Sequence, residues 1–313
     1  MSFILAKTPE PADAREGGRA SRPLRSGSGS TPTLTMSPKA FERFCRYITG
    51  ELGIKMSDAK LPLLQSRLQR RLHQLGMNSL EAYQAYLFDS DHGEEERVHF
   101  INAVTTNKTD FFREPAHFDY LTHTALPRLD PGGAAAAASR SWPFKLWCAG
   151  CSSGEEPYTL TMVLSEFARQ RPGFEFALLA TDISTRVLAL AQLGIYDADR
   201  VEPVPMALRS RYLLRSKDTA RAQVRMVPEL RRRISFRRLN FMDAHYAVKD
   251  MFEVIFFRNV MIYFDKPTQE QVIHKLCRNL VPGGFLFVGH SESLAGLSLP
   301  VTAVGSAIYR KPT

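Results

Sequence analysis

The residues best spaced to do chemistry lie in one run, Leu146-Trp147-Cys148-Ala149-Gly150-Cys151-Ser152-Ser153-Gly154-Glu155-Glu156-Pro157-Tyr158. An apolar strand leads into a loop of small residues, and a helix begins at Glu155. Such a turn brings backbone N–H groups and a helix N-terminus up to a ligand. Gly150 and Gly154 allow close approach. The spacing is not G-x-G-x-x-G, so no dinucleotide pyrophosphate is indicated. Glu155 and Glu156 would repel one and suit a ligand with positive charge, an amine or a sulfonium.

A second strand end, Leu178-Leu179-Ala180-Thr181-Asp182, carries an acid placed to accept both hydroxyls of a ribose. The plain structural alternative for Asp182 is a helix N-cap, a role Ser184 could fill instead. Leu239-Asn240-Phe241-Met242-Asp243 offers polar edges where an adenine would lie, and Phe256 to Phe264 supplies a fourth strand end. An adenosyl ligand with acidic contacts and no pyrophosphate signature points to S-adenosylmethionine. Cys148-x-x-Cys151 has no second pair or nearby His to complete a metal set, so no metal is expected. His290 reads as a packed histidine. No Ser–His–Asp or Cys–His nucleophile arrangement is visible.

These motifs need elements to hold them. From Phe144 onward, strands at 145–149, 176–181, 234–238, 252–257 and 285–289 alternate with helices at 155–170, 184–193, 207–214 and 267–280. That alternation predicts an α/β fold, a mostly parallel Rossmann-like sheet with helices on both faces. Residues 301–304 and 307–310 read as a closing hairpin. Short alternating segments at about 212–238 predict a small antiparallel β insert. Upstream, 37–105 reads as an all-helical domain. Ser37-Pro38 is an N-cap followed by proline, and Gly53 ends the first helix. Leu61, Leu64, Leu68, Leu72 and Leu75 make one face of a second helix, with Arg67, Arg70 and Arg71 on the other. Ser79 opens a third helix and Glu94 a fourth. Residues 106–143 form a linker helix and a mobile loop, and the catalytic domain runs over 144–313. Residues 1–36, rich in Pro, Gly, Ser and Arg, predict a disordered leader.

The chain has 313 residues, 44% hydrophobic and 23% charged, which excludes disorder of the whole chain. Its most apolar stretch, 252–264, is broken by Arg258 and is too short to span a bilayer, so no membrane insertion is expected. Four cysteines point to a reducing compartment, hence a cytoplasmic protein. The net charge of +9 calls for an acidic partner. Residues 200–238 hold twelve Arg or Lys against three acids, and 39–73 hold eight against three.

The sequence resembles the chemotaxis receptor glutamate methyltransferases of the CheR type. The matching segments are Thr105 to Glu114 (TTNKTDFFRE), Cys148 to Tyr158, Ala180 to Ser184, Asn240, Phe257 to Phe264, Leu280 to Gly284 and Gly289 to Ser293. The resemblance implies a class I methyltransferase that uses S-adenosyl-L-methionine, leaves S-adenosyl-L-homocysteine and esterifies receptor glutamates. It implies that Asn107, Thr109 and Arg113 touch the cofactor, that Glu156 meets its amino end and that Asp182 holds its ribose. Asn240 and Phe241 would flank the adenine, with Phe257, Arg258 and Asn259 beside the cofactor. Arg113 and Tyr263 would orient the substrate carboxylate and the methyl group. A carboxylate is already ionised at neutral pH, so no general base is required.

The resemblance also makes Arg67, Arg70 and Arg71 a docking face for the cytoplasmic helical bundle of chemoreceptors; a solvated helix face explains them equally well. In some family members the β insert grips a receptor C-terminal peptide by strand addition. Here 214–222 lacks the glycines of those members, which speaks against that tether. A nucleic-acid methyltransferase is the rival enzyme, but no aromatic-basic platform supports nucleic acid as a partner. A cofactor-binding signalling adaptor without turnover is the non-enzyme rival.

Overall fold

The computed structural model describes residues 3–5, 35–131, 143–218 and 220–313. Helix α1 (Pro38–Leu52) starts as its sequence dictates: the Ser37 hydroxyl accepts from the Ala40 N–H, and Pro38 takes the first turn, where its missing donor costs nothing. Gly53 ends it with φ 66°. A 3₁₀ turn (Asp58–Lys60) precedes α2 (Leu61–Leu75), which Gly76 terminates in the same left-handed conformation. Leu64, Leu68 and Leu72 of α2 are buried with Phe44, Tyr83 and Phe100 in one core, completed by α3 (Leu80–Asp89) and α4 (Gly93–Val104). Downstream come α5 (Ala116–Tyr120), a π turn (Leu121–Ala125) and α6 (Leu126–Leu129). The expected mobile loop falls largely on 132–142, outside the described residues.

The second unit is a seven-stranded sheet. β2 (Phe144–Ala149) lies between β3 (Phe176–Asp182) and β8 (Phe252–Phe257), parallel to both. β7 (Ile234–Arg238) extends it beyond β3, and β9 (Leu280–Val288) beyond β8. The hairpin β10 (Thr302–Gly305) and β11 (Ile308–Arg310) closes the β9 side antiparallel. The covering helices are α7 (Glu155–Arg169), α8 (Thr185–Leu193), α10 (Pro228–Arg232) and α11 (Lys266–Arg278). β9 is longer than expected, because Pro282-Gly283-Gly284 stays within the strand behind a register shift.

Two expectations need correction. The β insert is built from β4 (Ile195–Asp197), β5 (Leu213–Ser216) and β6 (Gln223–Met226), with α9 (Met206–Tyr212) between β4 and β5. It begins earlier than residue 212 and ends earlier than 238, since Ile234–Arg238 pairs with β3 in the main sheet. The leader is also not wholly without structure. β1 (Phe3–Leu5) pairs antiparallel with β5, from Phe3 opposite Ser216 to Leu5 opposite Leu214. At its other end Met36 is buried against the helical domain, with its N–H donating to Gln65. Residues 6–34 lie outside the described residues.

Candidate functional site

β3 and β7 extend the sheet to one side of β2, β8 and β9 to the other. The strand order therefore reverses at β2, and a crevice opens outside the carboxyl ends of β2, β3 and β8. The helical domain roofs that crevice. Ile48, Leu52 and Leu64 form one wall of the resulting cavity, and Gly150, Glu156 and Asp182 the other. Hydrogen bonds fix the roof, among them Lys55 N–H to the Tyr263 carbonyl (2.8 Å), Asn240 Nδ2 to the Glu51 carbonyl (2.8 Å) and Ser184 Oγ to Asn102 Oδ1 (2.8 Å).

Asp182 ends β3 and is 7% exposed. Its Oδ2 accepts from the Ser152 N–H and its Oδ1 from the Ser184 N–H, both at 2.9 Å. Burial pushes its carboxyl above the usual carboxylate range, while the backbone bonds pull the other way. Each oxygen keeps acceptor capacity on the side that lines the cavity. The helix cap itself is Ser184, whose hydroxyl accepts from Val187. Gly150 has φ 90°, and a Cβ there would stand 2.5 Å from Val260. Gly154 acts differently from the expectation. At φ 102°, its Cβ would stand 2.7 Å from the Tyr196 hydroxyl and 2.9 Å from Ala191. It serves packing of α7 on α8 rather than ligand approach.

The paired acids also divide. Glu155 turns inward, accepting from Arg200 (2.6 Å) and Ser153 (2.7 Å). Glu156 faces the cavity. Its Oε2 takes the Arg258 Nε (2.7 Å) and Nη2 (2.6 Å), and its Oε1 accepts from the Cys148 thiol (3.2 Å). Cys148 and Cys151 are free and buried, and burial raises both thiols well above their ordinary range.

Four left-handed non-glycine residues surround the site: Phe112, Glu114, Ser152 and Asn259. Backbone strain of this kind collects where a fold over-determines a site. Between the first two sits Arg113. Its guanidinium is about one-third exposed, 3.5 Å from the Lys108 carbonyl and 4.0 Å from Glu114. It is therefore loosely held at the cavity wall. Asn107 and Thr109 line the same wall; the carbonyl of the first accepts from Ser152 Oγ and that of the second from Arg200.

Asn240, Phe241, Arg258, Asn259 and Tyr263 also line the cavity. Asn240 uses its amide to clamp Glu51 and the Met242 N–H. Phe257 does not reach the cavity. It is fully buried behind Phe241, ring to ring at 5.0 Å, because β8 is covered on both faces. The Arg face of α2 is also partly internal. Arg67 bonds the Val104 carbonyl and Thr106 (2.7 Å), and Arg71 forks onto Glu96 at 2.9 and 2.6 Å. Arg70 remains exposed.

Sequence reasoning gave no role to Glu114, His117 or Glu292. Glu292 is buried and accepts from the N–H groups of Gly289 (2.7 Å), Asn259 (2.8 Å) and Ile262 (3.3 Å), fixing the turn after β8. Glu114, His117 and His290 approach one another closely enough for a metal. The Arg258 guanidinium already sits there, 3.3 Å from Glu114 and 3.2 Å from His117 Nδ1, and is the cation of that cluster. No local spacing reveals such bonds, since they span more than 140 residues of chain.

Comparison with known proteins gives the same answer over the whole ordered chain. Residues 39–105 match the model described as CheR methyltransferase, all-alpha domain, and residues 107–309 match CheR methyltransferase, SAM binding domain. Chemotaxis protein methyltransferase 2 of Pseudomonas aeruginosa is 38% identical over 257 residues, covering 82% of this chain and 87% of its own length. The chemotaxis protein methyltransferase of Klebsiella aerogenes is 36% identical over 296 residues, 95% of each chain. That of Borreliella burgdorferi is 36% identical over 264 residues, 84% of this chain and 91% of its own. A cavity at a topological switch point with two buried carboxylates, Glu156 and Asp182, in its wall fits S-adenosylmethionine. The chain belongs to the CheR methyltransferase family and is an S-adenosylmethionine-dependent methyltransferase.

Proposed function

We propose that this protein methylates glutamate side chains of chemoreceptors, making the glutamate methyl ester and S-adenosyl-L-homocysteine. The observation that carries the reading is Arg113. Its loosely bonded guanidinium shares one cavity with Glu156 and Asp182, so a carboxylate can be steered to the same place as an adenosyl cofactor. Bound S-adenosylmethionine supplies an electrophilic methyl group on a sulfonium. Asp182 accepts the ribose hydroxyls and Glu156 holds the cationic amino end. Phe241 flanks the adenine, and Asn107, Thr109 and Asn259 close the cavity around the cofactor. Arg113 orients the incoming carboxylate, and Tyr263 borders the path of the methyl group. No group has to remove a proton. Rate then comes from alignment and from the roof that α1 and α2 place over the site.

The names of the relatives support a receptor substrate. An acidic receptor bundle in the cytoplasm suits the exposed Arg70. It also suits Arg232, Arg237 and Arg238, which stand exposed beside the main sheet. The receptor C-terminal peptide has less support, since the outer edge of β5 is taken by Phe3–Leu5. Among the described residues no helix is long and apolar enough to cross a membrane. The deciding experiment incubates the enzyme with methyl-labelled cofactor and a receptor cytoplasmic fragment. Label released by mild base marks a carboxyl ester; label that resists base refutes it.

A further inference from the structure

One guanidinium joins the two halves of the site. Arg258 side-chain atoms are 1% exposed, and every N–H group of the fork that has a partner points at a residue of the reaction centre. Nε and Nη2 grip Glu156 Oε2; Nη1 donates to the Arg113 carbonyl (2.8 Å), approaches Glu114 (3.3 Å) and donates to His117 Nδ1 (3.2 Å). Arginine has no acceptor, so its approach calls for a lone pair on Nδ1, the atom that also stands 3.4 Å from Glu114 Oε2. The ring is itself locked, 1% exposed, at 5.6 Å from Phe287 and 4.5 Å from His290.

We propose that His117 is a positioning residue for the methionine end of the cofactor, acting through Arg258. Its neutral Nδ1 sets the rotation of the guanidinium. The guanidinium in turn sets Glu156 and the backbone of Arg113. The inference rests on the reading that Glu156 meets the amino group.

The charges require the imidazole to be neutral. Glu114 and Glu156 carry two negative charges and Arg258 one positive, so the cluster is left with one negative charge. The cofactor, with its sulfonium, ammonium and carboxylate, carries one net positive charge. Arg113, 4.0 Å from Glu114, adds a positive charge that the substrate carboxylate meets. A protonated His117 would add a further positive charge beside Arg258 and would set an N–H against the N–H of Arg258.

The test measures binding of S-adenosylhomocysteine and of 5′-methylthioadenosine, which lacks the amino and carboxylate end, by calorimetry on the full chain. His117→Asn keeps an acceptor near Nδ1; His117→Leu removes it. We expect His117→Leu to weaken S-adenosylhomocysteine about tenfold, as for a displaced charge-assisted bond. Binding of methylthioadenosine should stay within about twofold, and His117→Asn should stay near wild type for both ligands. Equal losses for both ligands, or equal losses in Asn and Leu variants, would mean that His117 only fills space and would overturn the proposal. If His117→Leu does not fold, Arg258→Lys, which keeps the charge and loses the fork, must show the same split between ligands. Glu156→Gln separates the two levels. If it leaves S-adenosylhomocysteine binding intact, the underlying assignment of Glu156 fails. If it weakens binding while His117→Leu does not, only the present inference fails.

Discussion

Arg113 and His117 sit four residues apart and do opposite things with their polar groups. Arg113 keeps its guanidinium loosely bonded and about one-third exposed, which suits the carboxylate-steering role proposed for it. Arg113→Ala should therefore lower kcat by about a hundredfold, the order of one lost transition-state contact, and leave cofactor affinity nearly unchanged. Single-turnover rates at saturating cofactor check this. His117 is held neutral: burial first, then Arg258 and His290, push its imidazole down to about 4, against the raising influence of Glu114 and the Ser306 backbone. In the unfolded chain the same imidazole titrates near ~6.5. Between those values the unfolded state takes a proton that the folded state refuses. Stability should therefore fall as pH drops from about 6.5 toward about 4. The denaturation midpoint of His117→Asn should be less steep in pH than that of wild type over that window.

Among the elements, the loop from β2 into α7 shows why two glycines in one motif are not equivalent. Gly150 makes room for Val260 across the cavity rim, and Gly154 lets α7 start against α8. Gly154→Ala must place a methyl group 2.7 Å from the Tyr196 hydroxyl at φ 102°. It should cost about 1–3 kcal/mol of stability, read as a lower melting temperature, with substrate KM unchanged in the folded fraction. The helices and parallel strands were legible because caps, glycine stops and apolar periods are local. Ser37, Gly53, Gly76 and Ser79 each act within one turn. The insert was misplaced because Ile195–Asp197 is three residues long and leaves no period to read. Asp182 was legible at a strand end and Glu156 at a helix start, and both line the cavity. Phe257 was not separable from its neighbours, because β8 is apolar at all but one position, Glu253, and which residue faces the cavity depends on the twist past its end. Nor could Arg67 and Arg71 be seen as internal, since their partners lie 25 to 39 residues away.

At the scale of the molecule, the basic charge is partly neutralised in surface ion pairs. Arg200, Arg211, Arg221 and Arg233 form ion pairs, leaving Arg215, Lys217, Arg232, Arg237 and Arg238 among the exposed cations of that region. Encounter with an acidic receptor should weaken with salt. Reversing Arg237 and Arg238 to Glu should raise the receptor KM several-fold at low ionic strength and much less at high salt. β1 also has a role at this scale. It covers the free edge of β5, and an uncovered edge pairs with other chains. Deleting residues 1–5 should increase concentration-dependent self-association in sedimentation runs while kcat holds.

The roofed cavity has one more consequence. A ligand touching both Leu64 of the helical unit and Asp182 of the sheet works as a strut between them. Separating the two units then requires expelling it first, which adds about 2.7 kcal/mol at a hundredfold excess over Kd. Cleavage by a protease in the stretch joining the units, 105–115, should slow in proportion to free S-adenosylhomocysteine. The lifetime of the folded enzyme should then rise and fall with the supply of methyl donor and its product.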